Sequence, residues 1–156
     1  MKLDSRKSSQ DLARALSLMV ARAPDLQPSE VVAGFDEIEA TFLRKAASSK
    51  KYQLETKRRV AEWKFKLLSE RNLPSRQVEP LYRAVRELGF TNLETEGTVE
   101  IYYAQYCVRH SRAAEAKRTL EHLCTKLRKA LAKRKLAAYR QLKEETERLL
   151  SGLSDK

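Results

Sequence analysis

The strongest constraint on the fold of this chain is a leucine and alanine pattern in its C-terminal part. The apolar positions alternate spacings of seven and four residues, which is an 11-residue repeat. They are Leu120, Leu127, Leu131, Ala138, Leu142, Leu149 and Leu153. A repeat of this length keeps one seam of a nearly straight α-helix facing a partner. The pattern therefore predicts one long helix over residues 112–151.

Helix signals also dominate the rest of the 156 residues, which include only four glycines and four prolines. Such a composition favours long helices over a turn-rich β fold. Pro80 is predicted to open a short helix that Gly89 closes, and Thr98 is predicted to cap the next one. We expect an all-α, elongated bundle of five to six helices, formed by a single helical domain over residues 1–156.

The predicted C-terminal helix is too long for a compact domain to cover. About 40 residues at about 1.5 Å each give a helix of about 60 Å, whereas a compact chain of this length is roughly 40 Å across. The molecule is therefore elongated, or the helix kinks, or its outer seam pairs with another chain. We take homodimerisation through Leu142, Leu149 and Leu153 as the leading explanation.

The same segment carries most of the positive charge. Between His122 and Lys143 there are eight basic residues and no acidic residue, against a net charge of +11 for the whole chain. These candidate anion-binding residues are Lys126, Arg128, Lys129, Lys133, Arg134, Lys135, Arg140 and Lys143. On a continuous helix most of them share one sector, which can follow the phosphates of a nucleic acid. An acidic protein surface or solvent satisfies the same charges equally well.

Aromatic residues supply a second candidate surface. Tyr102 and Tyr106 are four residues apart, so on a helix they share a face and could line a groove for a protein partner. A second basic run, residues 50–66, carries Trp63 and Phe65. Trp63 is expected in the core, and Phe65 is the better candidate for an exposed ring if this helix is peripheral.

Residues 98–127 resemble one tetratricopeptide repeat, a helical hairpin of about 34 residues. The residues at the family's characteristic positions are Tyr103, Ala104 and Cys107 in the first helix and Ala116 and Leu120 in the second, with Ser111-Arg112 at the turn. Glu100 and Arg128 depart from the expected Trp and Pro, and no second copy of the repeat lies upstream. The resemblance implies binding of a peptide or protein partner rather than catalysis.

Several function classes find no support in the sequence. Cys107, His110, His122 and Cys124 lie close in sequence, but His122 and Cys124 point to different sides of a helix, so we expect no metal site. No motif of an enzyme or of a cofactor site is present, and no apolar run is long enough to span a membrane. Two cysteines without framework spacing suggest a soluble intracellular protein, most simply a cytoplasmic one.

Two functional hypotheses remain. The first is a non-enzymatic interaction or adaptor module that binds a protein partner, with homodimerisation through the C-terminal helix. The alternative is a nucleic-acid-binding protein that uses the basic helix 126–143.

Overall fold

The structure, a computed structural model, describes the backbone of residues 5–154 and the side chains of residues 6–153. Within that part the chain forms helices and no strand, so the predicted all-α class is confirmed. The α-helices are α1 (Ser5–Arg22), α2 (Pro28–Lys45), α3 (Lys50–Ser69), α4 (Ser75–Leu88), α5 (Leu93–Arg109), α6 (Ala113–Lys133) and α7 (Ala137–Ser154). A short 3-10 helix, Ala23–Asp25, follows α1.

The chain divides into two compact units, Met1–Gly89 and Phe90–Lys156. The first unit holds α1 to α4 and the second holds α5 to α7. The single domain expected from the sequence stays a prediction.

The core of the first unit is built by α1, α2 and α3. Its buried cluster is Leu12, Leu16, Met19, Ala23, Val31, Phe35, Phe42, Val60 and Leu68. The start of α2 is fixed locally, because Pro28 occupies its first turn and Gln27 and Glu30 form a capping box. The spacing of the apolar residues then turns one face of each helix toward the common core.

Helix α3 is apolar on two sides and contacts α1, α2 and α4. Trp63 packs against the core cluster, as predicted, while Phe65 faces α4, where its ring lies 5.5 Å from that of Tyr82. Phe65 is completely buried, because α3 is not the peripheral helix on which this ring was expected to be exposed. Pro80 lies inside α4, which begins earlier than predicted, at Ser75. Gly89 ends α4 with a φ of 77°, the conformation for which glycine is favoured.

In the second unit α5 begins earlier than the sequence suggested. Its cap is Asn92, whose side-chain oxygen accepts a hydrogen bond of 2.8 Å from the backbone N–H of Thr95. The prediction of a cap at Thr98 is therefore wrong, since Asn92, six residues upstream, already caps the helix. Helices α5 and α6 are antiparallel: Tyr103 contacts Glu115 near the turn, and Glu96 contacts Lys126 at the far end.

The prediction of one continuous helix over residues 112–151 is wrong. Helix α6 ends at Lys133, Arg134 adopts an extended conformation, and α7 begins at Ala137. Helix α7 then folds back along α6 and also reaches α5. A β-carbon on Gly97 of α5 would lie 3.0 Å from Leu142 Cδ1, so glycine permits this close approach.

Burial explains why the helix breaks without a glycine or proline. Folding back lets α7 half-bury its leucines within the unit, and Thr146 becomes fully buried. A few helical hydrogen bonds, each worth about 1 kcal/mol net, are lost at Arg134 and its neighbours, and the partial burial of several leucine side chains offsets that loss. The break also makes one helix more than the five to six expected.

Candidate functional site

Part of the basic segment is neutralised within the second unit. Lys126 Nζ lies 2.5 Å from Glu96 Oε1 on α5. Glu147 Oε1 on α7 lies 3.0 Å from Lys143 Nζ and 3.5 Å from Arg128 Nη2. The hydrogen bond from Lys143 is the main cause that lowers the pKa of Glu147, with Arg128 contributing as well. Three of the eight predicted anion-binding residues are therefore paired with acids, Lys126 and Arg128 across helices and Lys143 within α7.

The other five basic residues surround the turn between α6 and α7. All five are exposed, and none has an acidic partner among the side chains of residues 6–153. We call them the basic turn, which consists of Lys129, Lys133, Arg134, Lys135 and Arg140. Leu136, at the same turn, is also 43% exposed. A concentration of unpaired cations on an exposed turn attracts anions over a distance of about 10 Å at moderate salt.

This arrangement replaces the one predicted from the sequence. The basic residues were expected to share one sector of a straight helix that could track a nucleic acid. Because the chain reverses at Arg134–Leu136, the cations of α6 and those of α7 lie on two antiparallel helices and the loop that joins them. The charge is therefore compact rather than spread along a rod.

The two tyrosines predicted to line a groove differ in accessibility. Tyr102 is half-buried, and its role stays a prediction. Tyr106 is fully buried, and its ring centroid lies 4.2 Å from that of His110. The prediction that Tyr106 lines a groove is wrong, because the hairpin turn folds His110 over the tyrosine ring.

A polar cluster fixes the α5–α6 turn beside these tyrosines. The Tyr103 hydroxyl donates to Glu115 Oε1 over 2.6 Å, and Arg112 forms an ion pair with the same carboxylate. The hydrogen bond from Tyr103 is the largest cause that lowers the pKa of Glu115, and Arg112 adds to it. Ser111, between them, has a φ of 60°, as expected of a tight junction between two helices.

An open apolar groove lies between α5 and α7, with α6 beneath it. Its volume is about 500 Å³, within the range of ligand-binding clefts. The groove is lined by Ala104, Gln105, Val108 and Arg109 of α5, by Leu120 of α6, and by Arg148, Leu149, Gly152 and Leu153 of α7. Its floor is closed by the buried side chains of Ala104 and Leu120. We call this surface the α5–α7 groove.

The groove contains two of the three leucines predicted to form a dimer seam. Leu149 and Leu153 are half-buried on its α7 wall, whereas Leu142 packs near Gly97 inside the unit. Sequence analysis missed the groove because its two walls come from helices that are not consecutive in the chain. Only Leu149 and Leu153, left over from the core pattern, gave a signal for it.

The buried polar residues elsewhere form no recognisable reactive site. Cys107 and Cys124 are buried and form no disulfide bond. The part of the chain from residue 6 to 153 holds no group of three or more His, Cys, Asp or Glu side chains placed to bind a metal. Glu62 on α3 is 8% exposed, and its Oε1 atom accepts no hydrogen bond from the described residues. Burial raises the pKa of Glu62, while Lys66, Arg59 and Arg58 oppose that shift.

None of the helices described by the structure is long and apolar enough to cross a membrane. Comparison of the chain with protein-family profiles, with curated protein sequences and with solved structures finds no match in any of the three.

Proposed function

We propose that this chain is a non-enzymatic helical interaction module that binds a segment of a protein partner in the α5–α7 groove. The observation that carries the proposal is the groove itself, an open apolar cleft of about 500 Å³ built on three packed helices. Half-buried apolar residues such as Val108 and Leu149 remain accessible there. A partner that covered them would gain about 25 cal/mol for each Å² removed from water.

The shape of the cleft favours a helical segment. The lining residues cover five residue steps on α5, from Ala104 to Arg109, and five on α7, from Arg148 to Leu153. At about 1.5 Å per residue, each wall is about 7.5 Å long. A partner helix lying between the walls can therefore insert two apolar side chains spaced three or four residues apart. The resemblance of the α5–α6 hairpin to a tetratricopeptide repeat implies the same kind of partner.

Gly152 offers a direct test of this proposal. A β-carbon at this position would meet no described heavy atom within 4 Å, so a larger residue can stand at the rim of the groove without displacing its neighbours. We would select binders from a displayed library of 14-residue amphipathic peptides with two leucines fixed four residues apart. Each selected peptide would then be measured by fluorescence anisotropy against the wild type, Gly152→Leu and the control Gly152→Ala.

The proposal predicts that Gly152→Leu weakens peptide binding at least about tenfold, whereas Gly152→Ala leaves it within about twofold. Equal binding to Gly152→Leu and the wild type would contradict it, as would a selection that yields no binder. Circular dichroism and thermal melts of both variants would establish that neither substitution disturbs the helices.

Binding of nucleic acid is a second candidate function, favoured by the five cations of the basic turn. The test is anisotropy of labelled duplex DNA and single-stranded RNA over a salt series. Each removed phosphate contact should reduce the log–log salt slope by about one. Replacing Lys133, Arg134 and Lys135 by Gln should then flatten the slope, while the control Lys126→Gln, whose lysine is paired with Glu96, should change it less. If the triple replacement leaves the log–log salt slope unchanged, the result would count against nucleic-acid binding.

Homodimerisation is the competing use of the same groove, because a second copy would pair through Leu149 and Leu153 on its wall. Sedimentation at increasing protein concentration tests that pairing. We place the protein in a reducing intracellular compartment such as the cytoplasm, in keeping with its buried thiols, Cys107 and Cys124.

A further inference from the structure

The basic turn between α6 and α7 combines positive charge with an exposed apolar residue. Its five cations are exposed and have no acidic partner among the described side chains. Leu136 lies in the same loop and is 43% exposed, although leucine is usually buried. Ala137, the next residue, is also exposed. One exposed leucine is ordinary by itself, but among five cations it gives the turn a second kind of contact to offer a partner.

The basic turn projects past the third helix of its unit. Lys126 of α6 contacts Glu96 of α5, with 2.5 Å between Nζ and Oε1. Seven residue steps of α6 follow Lys126, whereas only three steps of α5 precede Glu96. At about 1.5 Å per step, α6 therefore runs about 6 Å beyond the first residue of α5. The loop of residues 134–136 comes after that point, so it forms the tip of the α6–α7 hairpin.

The acidic residues of the two hairpin helices are set back from this tip. The chain has none from residue 122 to 143, and the first acid of α7 is Glu144, seven residue steps after Ala137. That separation is about 10 Å along the helix, which is the distance over which moderate salt screens a charge. A negatively charged surface that touches the tip therefore meets cations of α6 and α7 without meeting their carboxylates.

We infer that the basic turn docks on the surface of an anionic lipid bilayer, with Leu136 entering the boundary between the headgroups and the acyl chains. The cations would lie at the level of the lipid phosphates, and each cation near an anionic leaflet strengthens binding about fivefold. Tyr139, half-buried in the first turn of α7, fits the same boundary, where tyrosine rings are favoured. The docking is attachment to the surface and involves no spanning segment.

The exposed leucine favours a bilayer over a nucleic acid as the partner of this turn. A nucleic acid binds cations through its phosphates and gains little from an aliphatic side chain beside its backbone. At a bilayer, the burial of apolar area and the attraction to anionic lipid add to each other. Nucleic-acid binding, the second candidate function, is therefore the alternative outcome of the test. The inference goes beyond the proposed function, because the first groove residue on α7, Arg148, lies eleven steps after Ala137, about 17 Å away.

The experiment measures binding of the full chain to vesicles by flotation at about 150 mM salt. The vesicles are phosphatidylcholine with about 30% phosphatidylserine, and pure phosphatidylcholine is the reference. We expect binding to the anionic vesicles to be at least about tenfold stronger. Replacing Lys133, Arg134 and Lys135 by Gln should weaken it at least about tenfold. Leu136→Gln should weaken it about fivefold, whereas the control Leu18→Gln, at a leucine of α1 that is 62% exposed, should stay within about twofold.

Equal binding to the two kinds of vesicle would overturn the inference. Undiminished binding of anionic vesicles by Leu136→Gln would overturn it too, since only a general attraction between opposite charges would remain. If the wild type binds labelled duplex DNA or single-stranded RNA but not anionic vesicles, the basic turn would be assigned to a nucleic acid instead. Circular dichroism establishes that each variant keeps its helices. Peptide binding in the α5–α7 groove is measured without vesicles, so failure of this inference leaves the proposed function standing.

Discussion

The α5–α7 groove and the basic turn lie toward opposite ends of α7, and they depend on the fold in different ways. The groove is built on core residues, since Leu120 at its floor is only 1% exposed. The basic turn consists of exposed side chains with no acidic partner among the described residues. Substitutions at the groove floor should therefore affect folding, whereas substitutions at the basic turn should affect only what the surface attracts.

The largest expected effect comes from the groove floor. Leu120→Ala removes a buried side chain and should lower the free energy of unfolding by about 3 kcal/mol, the cost of an incompletely filled core. Lys133→Ala, the matched change at the basic turn, should stay within about 0.5 kcal/mol. Urea denaturation of both variants measures the difference. Similar losses of unfolding free energy in Leu120→Ala and Lys133→Ala would mean that the groove floor is not part of the core.

The polar cluster at the α5–α6 turn gives a smaller effect, which depends on pH. The folded pKa of Glu115 lies below its ordinary value of 4.5, so its contribution to stability is present above about pH 4.5 and is lost as pH falls through the folded pKa. Tyr103→Phe removes the main hydrogen bond to the carboxylate and should cost more at pH 7 than at pH 3. Urea denaturation at the two pH values tests this; equal losses would argue against the hydrogen bond.

Paired and unpaired lysines of the basic segment should differ by a smaller amount. Lys126→Gln leaves Glu96, whose side chain is 20% exposed, without its ion pair and should cost about 0.5 kcal/mol. Lys133→Gln removes a cation that has no described acidic partner and should change stability by less than that, in either direction. The difference should shrink in 1 M salt if it arises from charge. A larger loss of stability for Lys133→Gln than for Lys126→Gln would contradict the assignment of Lys126 as the paired lysine and Lys133 as the unpaired one.

The smallest expected effect is a gain at the rim of the groove. Gly152→Ala places a better helix former in the last turn of α7, where a β-carbon meets open space, and should raise stability by about 0.3 kcal/mol. Thermal melts should therefore show a slightly higher midpoint. A lower midpoint would mean that Gly152 packs more closely than the structure indicates.

The sequence could predict the helical class and the basic charge because both are local. The spacing of leucines identified most of residues 112–151 as helical, and the count of lysines and arginines identified the positive segment. It could not predict the reversal at Arg134, since no glycine or proline stands there and the cause is burial of α7 against α5 and α6. The same holds for Phe65, whose burial depends on Tyr82 of the next helix.

The candidate site was likewise predictable only where it depends on local sequence. Leu149 and Leu153 were recognised as apolar residues in excess of one helix's core, but their position opposite Val108 depends on how α7 packs. Tyr106 was misassigned because its periodicity cannot distinguish a groove wall from a core position that His110 covers. The local sequence pattern therefore predicted the chemistry of each surface. Tertiary packing determined which residues lie together on the same surface.

The measurement that tests the central claim most directly is a titration of the isotope-labelled full chain with a selected amphipathic peptide, followed by NMR. We expect the shifted backbone and methyl signals to cluster at Val108, Leu149 and Leu153, with those of Lys133 to Lys135 unchanged. Those shifts should be absent when Gly152→Leu fills the groove. Shifts confined to the basic turn, or shifts that persist unchanged in Gly152→Leu, would contradict the account.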